Sequence, residues 1–412
     1  MTPRVGVDVA AVPRVAEAYA KFGQRFLRKF LSEREIAYCG DSAERQAGRW
    51  AAKEAIGKAM PTGVPRPRMR DVEILPSDDG RPHVMVAPHT TLTGRTIDVS
   101  IAHDGHFAVA VAVIPEGDAL QVGPALPPDF RLPDRPADGH KGTFGTVVVL
   151  AGSQGFTGAA YLSSMGAART GSGLVRLLVA HTIYPILAQK CTEVMVAPLP
   201  EIAPGVVGHA SVSGVLRGFT GADAGVIGPG LGRDASTRRL IEDAIPRIAA
   251  PLVLDADALN LLSEHRSLLP RLSDQIILTP HPAEFGRLSG LDVPAVQADR
   301  RGVALRFARA WNKVVVLKGA GTVVASPDGR VSVDPIATPA LASGGTGDVL
   351  SGVIASLRGQ GLTSYEAAVT GVHLHALAGL ELERQLGKAG GLASDLLPEI
   401  PRIMERVRSI QS

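Results

Sequence analysis

The chain has 412 residues, more than one core usually supports, so two or three domains are expected. Its 45% apolar and 20% charged residues are ordinary for a globular protein, and its 46 glycines and 30 prolines are scattered among periodic apolar segments, which excludes a disordered chain. A formal net charge of +3 argues against a dedicated nucleic-acid binder, two distant cysteines make neither a disulfide framework nor a zinc site, and no run approaches the ~18 apolar residues of a membrane span.

Residues 4–9 alternate, with Val5, Val7 and Val9 on one face and Gly6 and Asp8 on the other. That predicts a half-buried strand with a carboxylate opposite its apolar face. Helical patterns come next, the second over 43–60 and closed by Pro61-Thr62-Gly63. Strands are predicted at 71–75, 96–101 and 107–114, the last (FAVAVAVI) with too few polar positions to be exposed. Residues 1–117 thus read as an α+β domain. Residues 118–138, rich in Pro, Gly and Asp, read as a linker whose later half could pack on the second domain. Beyond it the pattern changes. Short runs such as TVVVLAG, AGVIGPG, PLVLDAD, QIILTPH and KVVVLKG alternate with helical segments. Strands without polar alternation are buried on both faces, so residues 139–412 are predicted to be an α/β domain with a mainly parallel, helix-covered sheet. Its chemistry belongs at the carboxyl ends of the strands, where each run meets Gly, Asp, His or Lys. No signal peptide is visible at the start and the cysteines suit a reducing compartment, so a cytoplasmic location is expected.

In the first domain, Trp50, Glu54 and Lys58 fall four apart on one helical stripe, with Arg49 and Lys53 beside them. A carboxylate among lysines can hold a metal while the lysines grip phosphate, and Asp8 with Glu54 is an adequate pair for Mg2+. A solvent-exposed Glu–Lys pair is the plainer alternative. Residues 1–70 hold 14 Lys+Arg against 7 Asp+Glu. This is either a solvated basic face or one suited to an acidic partner or a polyphosphate.

In the second domain the sharpest feature is Gly344-Gly345-Thr346-Gly347-Asp348 before an apolar helix. Glycines there let N–H groups converge on an anion, and Asp348 could take the proton of a hydroxyl attacking a terminal phosphate. Read from GD alone, Asp348 could instead be an N-cap. Lys318, Gly319, Ala320, Gly321 and Thr322 come after a strand and suit a nucleotide loop. His281 and Glu284, bracketed by prolines at another strand end, point to a site. Asp255 and Asp257 could be helix caps or site residues. The run from Gly152 to Ala160 is not GxGxxG, so no dinucleotide-binding Rossmann unit is inferred.

GVDVAAVPRV, RWAAKEAIGKAMPTGV and DVSIAHDGHFAVAVAVI together resemble holo-acyl-carrier-protein synthase over 4–114. The resemblance implies transfer of 4′-phosphopantetheine from CoA to a serine of acyl carrier protein. It implies Asp8 and Glu54 as Mg2+ ligands, Arg49, Lys53 and Lys58 at the phosphates of CoA, and His103 beside the pyrophosphate. Arg14, with Lys21, Arg25 and Arg28, would meet the acidic carrier protein. The acceptor of the serine proton stays open between a metal-bound water and a carboxylate. A homo-oligomer, usually a trimer, is implied too. The strings HKGTFGTVVVLAGS, GPGLG, VLDADALNLL, LTPHPAEF, VVVLKGAGT and SGGTGDVLSG resemble the NAD(P)H-hydrate dehydratase family, with a ribokinase-like fold over 126–412. That implies removal of water from the S epimer of hydrated NADH or NADPH at the expense of ADP or ATP, ADP being expected. Asp348, His281, Gly232 and Ala159 or Ala160 would line the hydrate site, and Lys318 to Thr322 with Gly345, Thr346 and Gly347 the nucleotide site. A small-molecule kinase of the same fold is the alternative for the second domain, and a non-catalytic docking or trimerisation module for the first. The epimerase often joined to this dehydratase is not expected here, so the R epimer should not be processed by this chain alone. The two halves are expected to act independently.

Overall fold

The computed structural model describes residues 3–60, 67–77, 80–87, 90, 92, 96–115 and 126–411. The chain divides into two compact units, Met1–Ala125 and Leu126–Ser412. Pro61-Thr62-Gly63 and the first part of the expected linker lie outside the described residues.

The first unit contains β1 (Arg4–Ala11), α1 (Val12–Phe22), α2 (Gln24–Leu27), α3 (Glu33–Cys39) and α4 (Ala43–Ala59). It continues with β2 (Val72–Pro76), β3 (Pro82–Val86), β4 (Asp98–Asp104) and β5 (Phe107–Ile114). An antiparallel sheet runs β1-β5-β4, and β2 pairs with β3 as a separate ribbon. Helix α4 starts at the Ser42 cap, whose hydroxyl accepts the Arg45 N–H, and lies against the sheet. The approach is close: a methyl group on Gly6 would come 2.1 Å from the Ala55 carbonyl oxygen and 2.6 Å from the Ala59 nitrogen. The sheet face beneath the helix is accordingly made of small residues, Gly6, Ala10, Ala108, Ala110 and Ala112.

This reverses one expectation. Val5, Val7 and Val9 are 48–56% exposed, and Phe107 is 54% exposed. The buried face is the one carrying Gly6 and Asp8, because only residues lacking bulk admit a helix backbone at that distance. The alternation in 107–114 is likewise one-sided, with alanines inward and Phe107 and Val109 outward.

The second unit begins with β6 (Thr146–Leu150), α5 (Thr157–Arg169), β7 (Leu174–Ala180), α6 (Tyr184–Lys190), β8 (Met195–Leu199), β9 (Glu201–Ala203) and β10 (Val206–Val207). Next come α7 (Val212–Gly218), β11 (Ala224–Ile227), α8 (Ala235–Ala244), β12 (Leu252–Leu254), α9 (Asp257–Ser263), β13 (Ile277–Leu278), α10 (Pro282–Ser289) and α11 (Val293–Ala298). It closes with α12 (Arg300–Trp311), β14 (Val314–Leu317), β15 (Val323–Ala325), β16 (Val331–Val333), α13 (Thr346–Gly359), α14 (Ser364–Leu386) and α15 (Ala393–Gln411). The sheet order among the described residues is β16-β15-β14-β13-β12-β11-β6-β7-β8. From β14 to β8 every pairing is parallel, and β15 and β16 add an antiparallel edge. Val147, Val148, Val149, Val226, Leu254, Ile277 and Val316 are 0–1% exposed, as unalternating strands between helix layers must be.

Helices α5 and α13 cross with their backbones touching: a methyl on Gly352 would sit 2.0 Å from the Ser163 carbonyl oxygen. That contact fixes where α13 begins. Residues 126–138 pack on this unit, with Phe130 2% exposed in its core and the Arg131 N–H donating to Thr370 Oγ1 at 2.9 Å. Cys39 and Cys191 are both free and buried. Among the described residues no helix is long and apolar enough to cross a membrane.

Candidate functional site

Strands β6, β11, β12, β13 and β14 run parallel, so their carboxyl ends share one rim, and Gly152, Gly228, Asp255, Thr279 and Lys318 sit just past them there. Above the rim stands the start of α13. Its N-cap is Gly345 at φ +94°, a conformation suited to glycine, and Asp348 is the third residue of the helix, not its cap. Among the described residues the Asp348 carboxylate has no hydrogen bond or ion pair. A methyl on Gly347 would lie 3.3 Å from Lys318 Nζ, and one on Gly345 3.9 Å from Asp348 Oδ2. The lysine and the free carboxylate therefore flank the same glycine turn. A cavity of about 670 Å³ opens beside it, with His281, Lys318, Gly319, Thr346, Gly347 and His375 among its lining.

The electrostatics arise from crowding. Burial, reinforced by Asp255, pushes the Asp348 carboxyl up to about 7, with Lys318 pulling the other way. Burial does the same to Glu284, also to about 7. Burial alone would depress Lys318, but Asp255, Glu284 and Asp348 outweigh it and hold the ammonium above its ordinary value. His281 caps α10, its Nδ1 accepting the Ala283 and Glu284 N–H groups, while Glu284 accepts the His281 N–H at 2.9 Å. Its Nε2 lies 3.3 Å from Glu284 Oε1. Burial and the nearby Lys318 lower its pKa, so the ring is neutral near pH 7. His375 donates from Nε2 to the Thr346 carbonyl, and burial takes its pKa down to about 4.

The 318–322 loop is shaped from within. Gly319 and Gly321 have φ of +142° and +65°, and Thr322 Oγ1 donates to the Gly319 carbonyl at 2.9 Å. Arg300, at the start of α12, reaches across and donates from one guanidinium nitrogen to the carbonyls of Leu317, Lys318 and Gly321 at 2.8, 3.2 and 3.4 Å. At the other end of the rim, the Gly232 N–H donates to Asp257 at 2.9 Å, and Phe156 and Ala159 abut Gly230. Ala160 was expected as an alternative lining residue. It is fully buried beneath Gly152, because the close strand–helix packing leaves it no open side.

Asp255 is no helix cap. It is fully buried and accepts from Lys318 Nζ at 2.6 Å and from Ser351 Oγ in a short hydrogen bond, while Ala256 caps α9 without a side-chain bond. Arg300, as a helix-terminal arginine, and Ser351, inside an apolar helix, give no local signal in the sequence. For Asp255 a carboxylate closing an apolar run was the available hint.

In the first unit, Asp8 lies on the helix-facing side of β1, and its carboxylate accepts from Lys58 Nζ at 2.8 Å. Glu54, half-buried one helical turn before Lys58, has no partner among the described residues. Strand register puts Asp8, Ala110 and Ile101 in one row and Ala10, Ala108 and His103 in the next row on the same face, so exposed His103 belongs to the Asp8 side. Asp8, with Lys58 on it, and Glu54, on the same helix as Lys58, are hard-oxygen donors of the kind a divalent cation takes, although no group of three or more metal-ligating side chains occurs among the described residues. Arg14, Lys21 and Arg25 are exposed on α1 and α2.

Two of the residues expected at CoA are enclosed by the protein's own groups. The side chain of Lys53 is 1% exposed, and its ammonium donates to Glu35 at 2.6 Å and to the Phe30 carbonyl at 2.7 Å. Arg49 is 7% exposed, donates to the Ile74 carbonyl at 2.7 Å and lies 5.0 Å from the Tyr38 ring centre. One residue along a helix is a turn of about 100°, so Arg49 and Lys53 form a stripe facing α3 and β2, apart from Glu54 and Lys58.

Residues 147–402 match the family model described as NAD(P)H-hydrate dehydratase, and residues 4–112 that of the 4′-phosphopantetheinyl transferase superfamily. A bifunctional NAD(P)H-hydrate repair enzyme of Moorella thermoacetica is 42% identical over 277 residues, covering 67% of this chain and 52% of that one. The chain thus spans about half the length of that relative. An ADP-dependent (S)-NAD(P)H-hydrate dehydratase of Xanthomonas campestris is 36% identical over 271 residues, covering 65% of this chain and 91% of that one. The crystal structure of an ADP/ATP-dependent NAD(P)H-hydrate dehydratase from Bacillus subtilis, co-crystallised with ATP and Mg2+, superposes with a TM-score of 0.57 at 31% identity, over 67% of this chain and 94% of that one. The glycine turn, the lysine loop and the lone carboxylate above one sheet rim thus lie within the matched span, and the chain belongs to the NAD(P)H-hydrate dehydratase family, with a phosphopantetheinyl-transferase-type unit at its N-terminal end.

Proposed function

We propose that the chain is a bifunctional enzyme whose second unit dehydrates the S epimer of hydrated NADH or NADPH and whose first unit loads acyl carrier protein. The observation that carries the first reading is the Asp348 carboxylate, left without a partner among the described residues beside Lys318 at a glycine-lined helix start. Asp348 takes the proton of the substrate hydroxyl as that oxygen attacks the terminal phosphorus of the nucleotide, and the bond to the nucleotide's bridging oxygen breaks. Lys318 and the N–H groups of Gly345, Thr346 and Gly347 hold the phosphate. Phosphate then leaves with the carbon–oxygen electron pair, the adjacent carbon loses a proton, and the ring double bond returns. A hydroxyl is a poor leaving group and phosphate a good one, which is why a nucleotide is consumed. Ala159, Gly232 and His281 line the hydrate side, and Lys318 to Thr322 the nucleotide side. The name of the Xanthomonas relative favours ADP.

For the first unit, Asp8 and Glu54 would hold Mg2+, which when bound would neutralise charge on the CoA pyrophosphate as its P–O–P link breaks and adenosine 3′,5′-bisphosphate leaves. Lys58 and His103 face the same phosphates. Arg14, Lys21 and Arg25 steer an acidic carrier protein, whose serine is the nucleophile. Val5, Val7, Val9 and Phe107 form an open apolar face that supports assembly into a homo-oligomer. Two free thiols support a reducing, cytoplasmic setting.

Adding ADP to the purified hydrate should restore reduced-nicotinamide absorbance, and a stable phosphorylated small molecule would instead mark a kinase. Apo carrier protein incubated with CoA, Mg2+ and the chain should gain the mass of phosphopantetheine. Glu54→Gln should abolish that gain and leave hydrate repair intact; loss of both in folded protein would refute independent units.

A further inference from the structure

Asp255 is fully buried and is not among the cavity's lining residues, yet two of its three side-chain hydrogen bonds go to Lys318 and Ser351. Oδ1 accepts from Lys318 Nζ at 2.6 Å and from the Ala256 N–H at 2.9 Å, and Oδ2 accepts from Ser351 Oγ. Ser351 lies three residues after Asp348 on α13, so the buried carboxylate is pinned under the helix that carries the free one. The chain keeps it there at a conformational cost, since Ala256 has φ +49°, which L residues avoid. An ammonium must choose among nearby carboxylates. The charged groups facing Asp348 are Asp255 at the end of β12, Asp257 on α9, Glu284 on α10 and Lys318 at the end of β14, and of these four Lys318 alone is positive.

We infer that Asp255 is a positioning residue: by fastening the Lys318 ammonium to itself, it prevents an ion pair between Lys318 and Asp348 and keeps Asp348 free to act as a base. This deepens the reading of Asp348 as the proton acceptor and rests on it. Removing the Asp255 charge frees the lysine to close on Asp348. The paired carboxylate is then a weaker base, and its titration moves toward the ordinary aspartate range.

The test uses the full chain with 13C-labelled aspartate carboxyls, the Asp348 resonance being identified by its disappearance in Asp348→Asn. In Asp255→Asn the Asp348 midpoint should fall by about one pH unit or more, and the acid limb of kcat should shift the same way, with kcat down about tenfold. Ser351→Ala, which removes one donor to Asp255 and spares the charge, should move the midpoint slightly in the opposite direction or not at all. An unmoved or raised Asp348 midpoint in folded Asp255→Asn overturns the inference. Should Asp255→Asn fail to fold, Lys318→Met decides: it should leave the Asp348 midpoint unlowered, and a fall there overturns the inference. A chain inert toward the hydrate whose Asp348 midpoint still falls in Asp255→Asn sinks the dehydratase reading and leaves the Asp255–Lys318–Asp348 arrangement standing.

Discussion

Substituting Gly6 by Ala separates geometry from charge in the first unit. The added methyl would lie 2.1 Å from the Ala55 carbonyl oxygen, about 1.3 Å short of the 3.4 Å at which ordinary contact begins. Both groups in the clash belong to backbone, one in β1 and one in the middle of α4, so no side chain can swing aside. Strand and helix must part by roughly 1 Å, and such overpacking costs about 1–3 kcal/mol. For a unit of this size that lowers the melting midpoint of the first transition by about 5–15 °C. The same displacement draws Asp8 away from Glu54 and Lys58 while leaving every charge in place. A misplacement of about 1 Å at a reacting centre costs on the order of 100-fold in rate. Carrier-protein mass gain with time should show that loss at saturating CoA and Mg2+, while hydrate repair by the same molecules serves as the folding control. A Gly6→Ala chain with full transferase rate and an unmoved first transition would refute the claim that backbone contact sets this site.

Because Asp348 must be ionised to accept a proton and its pKa is raised to about 7 by burial and Asp255, the dehydratase kcat should rise about tenfold from pH 6 to pH 8 and level off above, and a flat profile would exclude it as the base. Lys53→Met leaves Glu35 buried without its cation and should cost about 3–5 kcal/mol in denaturant unfolding of the first unit; a raised KM for CoA at unchanged stability would restore Lys53 to the CoA site. The R epimer of the hydrate should remain unconsumed by the purified chain alone, read as a residual fraction after ADP has exhausted the S epimer.

What could be read from the residues divides along a physical line. Gly345, Gly347, Lys318 and Asp348 were legible because their chemistry is local: a strand end, a turn that only glycine makes, and a helix start. Asp255 was not, because its partners lie 63 and 96 residues away and meet it only when β12 and β14 flank β13 beneath α13. The parallel sheet was legible from unalternating runs, but its order was not, since β11 inserts beside β6 without any trace in periodicity. In β1 the alternation was right and the choice of buried face was wrong. Period two distinguishes the faces without saying which is inside, and the tight fit of α4 favoured the one lacking bulk. Arg49 and Lys53 are a related case: a basic residue in a phosphate-binding motif reads as a ligand, and only tertiary packing reveals a cation enclosed by carbonyls and Glu35.

Arg300 has a consequence for selectivity. Its guanidinium ties the Leu317 carbonyl at the end of β14 to the Lys318 and Gly321 carbonyls of the 318–322 loop before any ligand arrives. In the nucleotide role proposed for the loop, docking of a polyphosphate would freeze few backbone torsions. A preference between diphosphate and triphosphate would then fall to the cavity lined by the loop and by Val372, His375 and Ala376 of α14, where one extra phosphoryl group needs room.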